Sequence, residues 1–87
     1  MYRVYKVHIE RDRSGAALYI LDERASIFLK KESHDSPQQL LAEALNILAT
    51  RASLNIISVQ LLESFEKSGQ GEIWYVIGAP REDSSSI

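Results

Sequence analysis

The 87-residue chain is 45% apolar and 25% charged, with 10 Lys and Arg against 12 Asp and Glu for a formal charge of −2. That balance describes an ordinary globular chain, not a disordered or fibrous one, and the length holds one domain, since domains rarely fall below about 50 residues. The absence of cysteine excludes a disulfide framework, a thiolate metal site and a thiol nucleophile.

No stretch approaches the ~20 consecutive apolar residues that a membrane helix needs. The first ten residues alternate apolar side chains with Arg3, Lys6 and His8, which leaves no unbroken apolar core of a signal peptide. Tyr2 and the cysteine-free Ser85-Ser86-Ile87 end supply no lipidation signal. The expectation is therefore a cytoplasmic protein without membrane contact. The slightly acidic balance argues against a dedicated duplex binder, because Lys and Arg contacts to phosphate supply much of such affinity. A domain of this size buries only about two-thirds of its unfolded surface. Self-association is a common remedy, so a homo-oligomer, with a dimer favoured, is expected.

The first predicted element is a strand over Tyr2–Arg11, rich in Tyr, Val and Ile and cleanly alternating. Tyr5, Val7 and Ile9 are its core candidates. Tyr2, Val4, Lys6, His8 and Glu10 form the opposite set, because successive side chains point to opposite faces. Asp12-Arg13-Ser14-Gly15 reads as a turn, followed by a second strand over Ala16–Leu21, a reversal at Asp22-Glu23-Arg24 and a short third strand over Ser26–Lys30. A helical turn over Asp22–Ala25 is the other reading of that reversal.

Ser36-Pro37-Gln38-Gln39 is a two-part helix start: Ser36 can accept from an orphan backbone N–H, Gln39 stands at the reciprocal capping-box position, and Pro37 fits the first helical position. Leu40, Leu41, Ala44, Leu45, Leu48 and Ala52 then recur on one face, with Ile47 and Leu54 at its edge, and the helix should end near Arg51–Ser53. Asn55–Phe65 is a strand whose Ile57-Val59-Leu61 set should face the helix. Glu66–Gly71 is a hairpin connection, and the last strand covers Glu72–Ile77, stopped by Gly78-Ala79-Pro80. The polar, serine-rich 81–87 should be a frayed tail beyond a single domain over 1–80.

A lone amphipathic helix must bury its stripe on a sheet. The expected fold is a two-layer α+β domain of order β-β-β-α-β-β, in which one mainly antiparallel sheet of about four or five strands carries the helix on one face. If Ile73, Tyr75 and Ile77 face the helix, Trp74 and Val76 join Tyr2, Val4, Lys6 and His8 on the other face, with Tyr19 beside them. The reverse phase, with Trp74 in the core and Tyr75 outside, fits a strand that is apolar on both sides equally well.

Catalytic chemistry finds little to work with. His8, His34, Asp35, Glu10 and Asp12 show no metal-ligand spacing. The serines read as turn, cap or exposed strand residues with no base and orienting group in pattern. Glu63 and Glu72 across the last hairpin read as the solvated rim of a sheet, and Asp35 and Pro37 spoil the helix start for an anion. No catalytic, metal or cofactor residue is assigned. The leading expectation is a non-catalytic interaction or regulatory module, such as an accessory subunit or inhibitor of a larger assembly. It would present an open sheet face or edge strand to a protein partner or its own copy, with Tyr2, Lys6, His8 and Trp74 as the contact patch. Two further readings are a single-stranded nucleic-acid binder using the same face, steered by Arg3, Lys6, Arg11 and Arg13, and a small-molecule sensor or minor enzyme subunit.

Overall fold

The computed structural model describes residues 1–12, 15–33, 36–65 and 70–81. Among them run β1 (Arg3–Asp12), β2 (Gly15–Leu21), β3 (Ile27–Ser33), α1 (Pro37–Thr50), β4 (Leu54–Phe65) and β5 (Gln70–Pro80). The expected α+β architecture is present: one antiparallel five-stranded sheet in the order β3-β2-β1-β5-β4, with α1 across one side. Residues 13–14 of the expected Asp12–Gly15 turn, 66–69 of the expected Glu66–Gly71 connection, the His34-Asp35 lead into the helix and the tail beyond residue 81 lie outside the described residues, while Asp12, Gly15, Gln70 and Gly71 belong to strands.

The helix begins as its sequence dictates. Gln39 N donates to Ser36 Oγ over 3.2 Å, and Ser36 N donates to Gln39 Oε1 over 3.0 Å, so both halves of the capping box close. At the other end Arg51 caps the helix, its N–H donating to Ile47 O, and Ser53 turns the chain into β4 with a left-handed φ of 50°. Leu40, Ala44 and Leu48 are fully buried by this placement, and Leu41, Leu45, Ile47 and Ala52 pack beside them.

Under the helix lie Tyr5, Val7 and Ile9 of β1 and Ala16, Leu18 and Ile20 of β2, all buried as the alternation implies. The reversal after β2 is a compact turn. Asp22 Oδ1 accepts from Arg24 N and Ser26 N, each at 2.9 Å, and Ala25 takes a positive φ of 60°. Glu23 reaches back so that Val4 N, beyond the β1–β2 ladder, donates to its carboxylate at 3.1 Å. The third strand runs on to Ser33, and Lys31 within it pairs with Glu43 of α1.

Three expectations need correction in the C-terminal half. Trp74 and Val76, not Ile73, Tyr75 and Ile77, face the helix: the register sets Trp74 opposite Val7 and Val76 opposite Tyr5, and Val76 is fully buried. The Ile57-Val59-Leu61 set does not line the core as a unit. Pairing with β5 slips at Ile57 and again at Leu62: Ile56 and Val59 pack inward, Ile57 stands 58% exposed at the first slip, and Leu61, opposite Trp74 on the helix side, is 50% exposed. Gly78-Ala79-Pro80 continues the strand rather than stopping it. A Cβ at Gly78 would come within 2.5 Å of Asn55 O and 2.6 Å of Leu54 Cγ, so the glycine is what lets Leu54 close the core against β5. Arg81, first residue of the expected tail, donates its backbone N–H to Ser53 O over 2.7 Å.

Candidate interaction surface

The side of the sheet away from α1 is built by register. Lys6 stands opposite Leu21 on one flank and Tyr75 on the other; His8 stands opposite Tyr19 and Ile73; Val4 stands opposite Ile77. Tyr19 in turn meets Lys30, Tyr75 meets Gln60, and Ile73 meets Glu63. The centre of this surface is thus Tyr, Ile and Val, with Lys6 and His8 between them and charged side chains toward the edges. α1 packs across β1, β2 and β4 from the opposite side, and no described element crosses this one.

Side chains on this surface lie against one another. The Lys6 ammonium sits 5.7 Å from the Tyr75 ring centroid and the Lys30 ammonium 5.6 Å from that of Tyr19. The His8 and Tyr19 rings are 6.0 Å apart and tilted, and His8 Nε2 lies 3.2 Å from Glu10 Oε1. Val4, Lys6, His8, Tyr19, Leu21, Ile73, Tyr75 and Ile77 are half-buried on this side, with no described element over them.

The expected contact patch of Tyr2, Lys6, His8 and Trp74 divides between the two sides. Lys6 and His8 lie on the open side, and Tyr2 is exposed just before β1. Trp74 lies on the helix side, packed against the core, with Nε1 donating to Glu72 Oε1 at 3.5 Å. Tyr75 occupies the aromatic position expected for Trp74, and Tyr19 lies beside His8 on the open side as expected. The signal was the core register of β1: once Val7 is inside, its partner in β5 must be inside too, but that partner is set by tertiary pairing and not by β5's own alternation.

Glu63 faces the open side with Ile73, and Glu72 shares the helix side with Ile9, so these carboxylates do not converge. Among the described residues no three His, Asp or Glu side chains gather as a cation would require. Arg3 and Arg11 share the helix side of β1 with Tyr5, away from Lys6. Among the described residues no helix is long and apolar enough to cross a membrane. Comparison with protein-family models, curated proteins and solved structures finds no match to the chain.

Proposed function

We propose that the chain is a non-catalytic protein-interaction module that binds another protein through the open side of its sheet, in the manner of an accessory subunit or inhibitor. The observation that carries this reading is the continuous band of Val4, Tyr19, Leu21, Ile73, Tyr75 and Ile77, punctuated by Lys6 and His8, on a side that no described element covers. An apolar-aromatic centre with a polar rim is the composition of a protein contact.

Two features favour protein over single-stranded nucleic acid as the occupant. The ring faces that bases would stack on already carry lysine ammonium groups, and Arg3 and Arg11 lie on the wrong side to track a phosphate backbone across this surface. The net charge of −2 adds no attraction.

The test is site-specific photo-crosslinking in the native cell. Probes at Lys6 and Tyr19 should give discrete protein adducts, and probes at Gln38 and Asn46 on the outer side of α1 should not. Equal adducts from both sides, or a shift of short single-stranded oligonucleotides that weakens steeply with salt, defeats the reading.

A further inference from the structure

The two outer strands of the sheet are guarded differently. β3 is seven residues long and carries Lys30, Lys31 and Glu32 in its sequence. Charges of this kind, lysine above all, discourage another strand from adding to an edge. β4 is twelve residues long, and Glu63 is its one charge. It also holds Ile57, Leu61 and Leu62 at 58%, 50% and 51% exposure. In the sheet order nothing lies beyond it among the described residues.

The sequence of this edge is symmetric in polarity about Val59. Moving outward, Ser58 and Gln60 are polar, Ile57 and Leu61 apolar, Ile56 and Leu62 apolar, and Asn55 and Glu63 polar. The backbone comes within one residue of that symmetry, with slips at Ile57, two residues before Val59, and at Leu62, three after it. Pairing with β5 slips between Ile56 and Ser58 on one side and between Leu61 and Glu63 on the other. Each slip bends the strand, so a straight extended peptide meets a twice-kinked edge. A second copy, turned about a two-fold axis through Val59, brings each kink to within one residue of the other copy's opposite kink.

We propose that β4 pairs antiparallel with β4 of a second copy, centred on Val59, joining two five-stranded sheets edge to edge. In this register Ile57 of one copy faces Leu61 of the other, twice, and Ser58 faces Gln60. The lone charge, Glu63, faces Asn55, so no like charges meet. Both helices then lie on one side of the doubled sheet, and the open sides of both copies remain accessible on the other.

The register is tested by charge exchange at the two exposed apolar positions. The full chain should sediment as a dimer. I57K and L61E should each raise the dimer Kd by about tenfold or more, since each strips two cross-strand apolar pairs and buries charge against Leu or Ile. I57K and L61E combined in one chain should restore the dimer, because each introduced cation then faces an introduced anion of the other copy. A monomeric parent chain, a dimer indifferent to both single substitutions, or a combined variant no tighter than either alone overturns the proposal. Should a variant fail to fold, amide hydrogen exchange on the unmodified chain decides the matter. β4 amides should slow with rising protein concentration while those of β3 do not; a β4 rate independent of concentration overturns the pairing.

Discussion

The two sides of this sheet are made from similar residues and have different fates. On one, Val7, Leu18, Ile20 and Val76 are fully withdrawn from water beneath Leu40, Ala44 and Leu48. On the other, Val4, Tyr19, Ile73, Tyr75 and Ile77 shield one another only partly. Strand composition does not separate them, since β5 offers Trp74 and Val76 to one side and Ile73, Tyr75 and Ile77 to the other. What separates them is the helix, which supplies the second layer a core requires. The helix is also short. Fourteen residues span about 21 Å against about 40 Å for the twelve of β4. Joined at the Leu54 end, α1 covers Leu54, Ile56 and Val59 and leaves Leu61 half out.

This contrast is sharpened most strongly by Leu48→Ala. Its side chain is fully buried between the layers, so the variant should lose about 2–5 kcal/mol of unfolding free energy in urea. The next test uses sequence neighbours on opposite sides. Trp74→Ala, which uncovers partly buried core, should cost about 2 kcal/mol. Tyr75→Ala, which removes cross-strand packing and the Lys6 contact, should cost about 1 kcal/mol or less. Equal losses from these two would erase the distinction between core side and open side. The smallest effect belongs to Lys31→Ala. Its pairing with Glu43 ties the helix to β3, but the two side chains are 43% and 31% exposed. The loss should stay below about 1 kcal/mol and vanish in high salt.

Local signals in the sequence were enough to identify the elements. The Ser36–Gln39 box, the helical stripe from Leu40 and the alternation of β1 and β2 each depend on neighbours a few residues away. The phase of β4 and β5 depends on distant contacts. A bulge adds one residue without leaving a mark in composition, and two of them shift β4. Gly78 is conspicuous in the sequence, but turn and close approach look alike until Leu54 is seen above it. The open side was legible in part for the same reason: Lys6, His8 and Tyr19 follow from strands with one apolar set, whereas Tyr75 and Trp74 exchange places when the pairing partner is unknown.

The middle of the sheet is the ladder between β1 and β5, which brings Arg3 opposite Gly78 and Val7 opposite Trp74. Partners so far apart along the chain raise the contact order and slow the final closure. During synthesis the β1–β3 segment emerges with one flank of β1 bare, and the helix has only part of its platform to settle on until the segment near residue 76 is free. That nascent intermediate presents backbone donors and acceptors along Val4–Glu10, a stretch rich in Tyr, Val and Ile, and so a ready template for misassociation. A chaperone that engages the N-terminal strand while the C-terminal hairpin is still being made would therefore raise the yield of native chains.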